Sequence, residues 1–142
     1  MKKPTPVAVY WDPTCILSAL FKDSNSEKAI SMSKKEGVHF FSTLCYAQVC
    51  SVLTRIRNEK KLKDVLIDVA FDTLKTGPWR RLNIWPEWTT LIALSETWPL
   101  KGSSLWHLAS AKTLQKQLPE VTLFTFDEEL KKAAEEEGLL PS

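Results

Sequence analysis

Val7-Ala8-Val9-Tyr10-Trp11-Asp12-Pro13-Thr14 decides how the rest of the chain is read. A short apolar, β-prone run ends in an aspartate, and a proline and a threonine follow it. That pattern is a buried strand feeding a turn. Asp12 or Thr14 then caps a helix from about Cys15 to Lys22, because a short side-chain oxygen accepts from the free N–H groups of a first helical turn.

The same alternation continues outward from this stretch. Asp23-Ser24-Asn25-Ser26 is a polar loop, and a second helix runs from Ser26 to about Lys35, with Gly37 as its stop. Val38 to Ser42 is a second strand, and Ser42 or Thr43 opens a long helix. Leu44, Val49, Val52, Leu53 and Ile56 recur in that helix at three- and four-residue intervals and face the core. After a polar break at Arg57–Lys61, Val65 to Leu74 is again helical in period. Thr76-Gly77-Pro78 is a turn. Trp79 to Trp85 alternates as a strand, and Pro86 begins a helix to about Thr97. Pro99 and Gly102 mark a loop, and Ser103 or Ser104 caps a helix that ends near Gln117. Val121 to Phe126 is the last strand; Asp127 caps the last helix, which reaches about Glu137 and closes at Gly138.

Strands alternating with helices predict an α/β fold with a mainly parallel sheet. With 142 residues, 44% of them hydrophobic and 25% charged, the chain has the length and core material of one domain. A net charge of +2 is too small to argue for nucleic acid by itself. Cys15, Cys45 and Cys50 lack metal-type spacing, and their odd count argues against a disulfide framework, so they read as reduced thiols in a core. The basic start, Met1-Lys2-Lys3-Pro4, precedes an apolar run broken by Asp12 and Pro13, too short for a signal peptide. No stretch reaches the roughly 20 apolar residues of a membrane span. The expected setting is a reducing cytoplasm, away from membranes. Ligands of open α/β sheets bind beyond the carboxyl ends of the strands, and Asp12 and Asp127 both stand there.

Four segments, in order, resemble the PIN-domain family of VapC-type toxin ribonucleases. They are Val9-Tyr10-Trp11-Asp12-Pro13-Thr14, Ser42-Thr43-Leu44-Cys45-Tyr46-Ala47-Gln48-Val49, Ser104-Leu105-Trp106-His107-Leu108-Ala109-Ser110-Ala111 and Leu123-Phe124-Thr125-Phe126-Asp127-Glu128-Glu129-Leu130. Ala133, Ala134, Gly138 and Leu139 continue the last one. The resemblance spans about residues 7 to 140 and implies a three-layer α/β/α sandwich of 1–142 as a single domain. It further implies four acidic residues converging on Mg²⁺ or Mn²⁺, which activates water for attack on an RNA phosphodiester. By position those four are Asp12, Gln48, Ser104 and Asp127. Asp12 and Asp127 are retained as metal ligands, whereas an amide and a hydroxyl stand at the other two catalytic positions. With two carboxylates in place of four, a dication is bound loosely if at all. Glu128 is a substitute ligand or, alternatively, the acidic first turn of a helix.

Plainer readings stand beside these. Asp12 and Asp127 serve equally as helix caps, Thr14 as a cap or as a phosphate contact, and Ser104 as an N-cap. His107, on a Leu-Ala helix face, reads as a packed, hydrogen-bonded core residue rather than a general base. No orienting acid or nucleophile elbow accompanies Ser104 and His107, so they do not form a hydrolase pair. Trp79 beside Arg80 and Arg81 suits an RNA clamp. The crowding of Trp79, Trp85 and Trp88 favours core or dimer contact instead. Arg55, Arg57, Lys60, Lys61 and Lys63 read as a solvated basic face. Two functions follow: a metal-dependent endoribonuclease of the toxin kind with a small antitoxin partner, weak or inactive through its altered site, or a non-catalytic module binding RNA or protein. The resemblance also implies a homodimer.

Overall fold

Each apolar run of the sequence pairs with another to make one sheet. The computed structural model describes residues 5–140, so the basic start at residues 1–4 lies outside the described residues. The strands are β1 (Val7–Trp11), β2 (Gly37–Ser42), β3 (Trp79–Leu82) and β4 (Thr122–Phe124), in the spatial order β3-β2-β1-β4. Every neighbouring pair is parallel. The helices are α1 (Pro13–Leu20), α2 (Ser26–Ser33), α3 (Thr43–Asn58), α4 (Asp64–Thr76), α5 (Trp88–Thr97), α6 (Gly102–Gln115) and α7 (Glu128–Glu136). Among the described residues no helix is long and apolar enough to cross a membrane.

Strand periodicity divides the apolar residues between two layers. Val9 and Trp11 of β1 face one side and pack with Cys15, Ile16, Cys45, Val49, Leu53 and Ile67 from α1, α3 and α4. Tyr10 faces the other side and packs with Leu94, Leu108, Leu123, Leu130 and Ala133 from α5, α6, β4 and α7. Helices therefore cover both faces of a parallel sheet, which is the three-layer α/β/α arrangement and accounts for a central strand apolar throughout. Trp11 is fully buried, with Trp79, Phe124 and His39 edge-on around it. Its indole N–H donates to His39 Nδ1 at 3.0 Å, and His39 Nε2 lies 2.9 Å from the Lys35 carbonyl, so the polar atoms of both rings are satisfied. Burial pushes the thiols of Cys15 and Cys45 up from their ordinary value, which keeps them protonated and unreactive.

Several boundaries differ from the sequence reading. Pro13 opens α1 rather than lying in a turn before it, since the first helical position needs no N–H. Gly37 begins β2 instead of stopping α2: its φ is +144°, and a Cβ there would collide with the backbone of Val7, its register partner. β3 ends at Leu82, and α5 begins at Trp88 behind Pro86. Lys101, not a serine, occupies the N-cap of α6, and Ser104 is buried inside that helix. Arg57, from the basic run, holds α3 to α4 by donating to Asp68 Oδ1 at 2.6 Å.

Trp11→Ala removes the centre of this packing and should lower unfolding stability by about 3–5 kcal/mol. Urea denaturation of wild type and variant measures the difference.

Candidate functional site

The strand order makes the crevice between β1 and β4 special. From β1 the chain moves to β2 and β3 on one side, and then crosses back to place β4 on the other. At such a switch point the connecting helices diverge and leave a crevice at the carboxyl edge. Asp12 follows β1 and Asp127 follows β4 shortly after Thr125, so both acids stand on this rim.

Asp12 is 2% exposed. Its Oδ1 accepts from the Thr14 hydroxyl at 2.6 Å and from the Cys15 N–H at 3.2 Å, and the second bond caps α1. Its Oδ2 accepts from the Thr125 hydroxyl at 2.6 Å. Thr125 Oγ1 in turn accepts from the Asp127 N–H at 3.0 Å, and Thr14 Oγ1 accepts from the Phe126 N–H at 3.0 Å. Thr125 thus links the two aspartates across the crevice, and Thr14 ties Asp12 to the neighbouring Phe126 backbone. Burial pushes the Asp12 carboxyl above its ordinary value; the bonds from Thr125, Thr14 and Cys15 oppose this, and the nearby charge of Asp127 adds to it.

Asp127 caps α7, its Oδ1 accepting from the Leu130 N–H at 3.0 Å. Its Oδ2 lies 3.9 Å from the Lys101 ammonium. Glu128 is exposed in the first turn of α7, where a carboxylate suits the helix dipole.

The Gln48 position belongs to a different network. Gln48 Oε1 lies 2.7 Å from His107 Nε2, and His107 Nδ1 lies 2.6 Å from the Tyr10 hydroxyl. A carbonyl oxygen only accepts, so Nε2–H donates to Gln48 and Nδ1 accepts a hydrogen bond from the Tyr10 hydroxyl. The Tyr10 oxygen also lies 3.3 Å from Ser42 Oγ, the cap of α3. These four side chains form a neutral relay running from the sheet to α3 and α6. Burial lowers His107 from 6.5 to about 4, so the ring stays uncharged at neutral pH. This is the packed, hydrogen-bonded histidine expected from its Leu-Ala surroundings.

The residues present do not fit a Mg²⁺ or Mn²⁺ centre. Such ions require several oxygens with free lone pairs. Asp12 is buried with its oxygens already in use, Asp127 caps a helix beside a lysine, and Gln48 gives its carbonyl to His107. Ser104 adds no charge. Among the described residues no group of three or more His, Cys, Asp or Glu is arranged to hold a metal. Nor does the RNA clamp drawn around Trp79 form, because Trp79 turns into the core against Trp11 while Arg80 and Arg81 stay exposed. Thr14 has its hydroxyl engaged as both donor and acceptor.

The sequence reading includes Tyr10, Ser42 and Thr125 in its motifs without these roles, and it misses Lys101. The one available signal is their chemistry: a phenol inside an apolar strand and a threonine before a capping aspartate both need partners once buried.

No family model matches the sequence, and no curated protein matches it. Solved structures do share its fold. VapC20 of Mycobacterium tuberculosis, a Sarcin-Ricin loop cleaving toxin, has a TM-score of 0.58 at 11% identity, covering 89% of this chain and 95% of its own. PAE2754 from Pyrobaculum aerophilum has a TM-score of 0.59 at 15% identity, covering 87% and 77% respectively. The chain therefore has the VapC-type PIN fold.

The relay makes a pH-dependent prediction. His107 is harder to protonate when folded, so its contribution to stability is complete above about pH 6.5 and is lost as pH falls toward about 4. Gln48→Glu sets a carboxylate against Nε2 and should raise the His107 pKa, observed as a shifted ring titration by NMR. An unchanged titration midpoint would show that Gln48 does not face the ring.

Proposed function

We propose that this chain is a PIN-fold binding module whose metal-dependent ribonuclease activity is weak or absent, and that it binds RNA along the carboxyl rim of its sheet. The observation that carries this is the commitment of Asp12 and Gln48 to internal hydrogen bonds. Freeing a buried carboxylate for a cation means breaking bonds worth about 1.5–3 kcal/mol each. At the Gln48 and Ser104 positions, neutral groups replace two negative charges of a PIN-type site. The rim therefore repels phosphate less than a four-acid site, and it depends less on a cation to accept an RNA backbone. Arg80 and Arg81 at the outer strand and Lys101 beside Asp127 supply exposed positive charge nearby. The Sarcin-Ricin loop that VapC20 cleaves points the same way by likeness of fold.

A second reading adds protein partners, a small antitoxin-type protein and a second copy of the chain. It is favoured by Val65, Leu66 and Val69, which lie exposed on the outer side of α4, with exposed Leu62 just before that helix. The opposite side of the same helix buries Ile67, Ala70 and Leu74. A helix apolar on both sides has one side to give to a partner.

Thermal-shift titration with Mn²⁺ separates these states of the site. Wild type should gain no stability, whereas a Gln48→Glu/Ser104→Asp double variant should be stabilised. Wild-type stabilisation together with RNA cleavage that Asp12→Asn abolishes would overturn the non-catalytic reading. Single-stranded RNA should quench the tryptophan fluorescence with an affinity that falls as salt rises; an unchanged signal at every salt concentration would remove RNA as the ligand. For the second copy, light scattering should give a dimer mass for wild type and a monomer mass for Leu66→Lys/Val69→Lys. A monomer mass for wild type would exclude self-association.

A further inference from the structure

A cavity of about 280 Å³ opens at the ends of β2 and β3, away from the two aspartates, with Phe41, Thr43, Tyr46, Arg81, Leu82 and Asn83 in its walls. Sheet register builds it. Phe41 of β2 is the parallel partner of Arg81 of β3, and α3 begins immediately after Ser42. The Phe41 and Tyr46 rings meet edge to face, with centroids 5.5 Å apart and planes at 76°. Leu82 completes an apolar body, and Arg81, Asn83 and Thr43 stand exposed around it.

The lining selects a ligand class. It contains no carboxylate, which excludes a metal cation. Arg81 and Asn83 are both exposed, and among the described residues Arg81 makes no salt bridge and Asn83 no side-chain hydrogen bond, so both are open to a ligand. Aromatic and aliphatic walls accept a flat ring, an asparagine reads polar atoms on a ring edge, and a guanidinium binds phosphate bidentately. The volume falls just below the range of about 300–1,000 Å³ typical of sites for larger ligands, so it suits a single nucleotide.

We propose that this cavity receives one unpaired nucleobase of a single-stranded RNA, with Arg81 on the adjoining phosphate and Asn83 on the base edge. This deepens the RNA-binding reading and rests on it for the length of strand beyond the cavity. Ser42 lies in the same wall and also belongs to the Tyr10–His107–Gln48 relay, so the cavity adjoins that relay. Base recognition here needs neither aspartate.

Titration of the full chain with 5′-UMP and 5′-AMP, followed by NMR of the Asn83 side-chain amide and the Thr43 N–H, tests the assignment. Ribose 5-phosphate and inorganic phosphate serve as probes without a base. The mononucleotides should shift both signals and bind roughly tenfold more tightly than ribose 5-phosphate. Arg81→Ala and Asn83→Ala, both at exposed positions, should each weaken the nucleotides. Equal binding of the baseless phosphates, or nucleotide shifts confined to residues outside the cavity, would overturn the proposal. A single-stranded octanucleotide distinguishes the two levels. If it binds wild type and both variants equally, the cavity assignment fails while RNA binding stands. If mononucleotides occupy the cavity but the octanucleotide does not bind, the cavity is a site for free nucleotides, and both its assignment to single-stranded RNA and the RNA-binding reading fail.

Discussion

The carboxylate of Asp12 is the constraint around which the rim is organised. A buried negative charge is costly unless hydrogen-bond donors surround it. Here the donors come from three places: Thr14 beside it, Cys15 in the first turn of α1, and Thr125 at the end of β4. Asp12 and Thr125 are separated by 113 positions in sequence. The bond between them therefore forms only when β4 has taken its place beside β1. Satisfying this one group fixes the start of α1, the end of β4 and, through the Asp127 N–H, the entry into α7.

The same economy explains the neutral half of the site. Tyr10 alternates to the face opposite Trp11, where its hydroxyl is buried among apolar side chains and requires partners. His107 and Ser42 provide them, and Gln48 satisfies the remaining ring nitrogen. A glutamate at position 48 would favour a charged imidazolium in this low-dielectric setting; the amide allows the ring to remain neutral. The replacement thus has a structural consequence beyond the loss of one charge. Gln48 spends its carbonyl within the protein, and the polar groups of the crevice hold one another rather than a cation.

Arg57 is absorbed by Asp68 and lies 6.0 Å from the Phe71 ring, so part of the basic run is a clamp between α3 and α4 rather than a nucleic-acid footprint. Trp85 and Trp88 are 77% and 78% exposed, so neither takes the core role open to the tryptophan cluster, and of the three only Trp79 joins the interior. Three tryptophans close in sequence therefore contribute one buried contact and two surface positions. Strand geometry is the reason: Trp79 lies within β3, while the other two follow the point where the strand has ended.

The order of strands and helices was legible from hydrophobic period and turn residues, because these local preferences agree with the final packing. The aspartates at the ends of Val7–Trp11 and of the last β-branched run were legible as caps for the same reason. Ser104 misled, since a serine before a helical run has the composition of a cap wherever the helix begins; an unassisted start at Lys101 leaves no side-chain signature. Sequence pattern alone determined an α/β chain with polar residues at its strand ends. Tertiary structure decided which of those residues meet: that Thr125 reaches Asp12, that Gln48 serves His107, and that Trp79 turns inward. Each depends on groups brought together across the chain by parallel pairing, where burial makes a partner obligatory and local sequence does not say which partner it is.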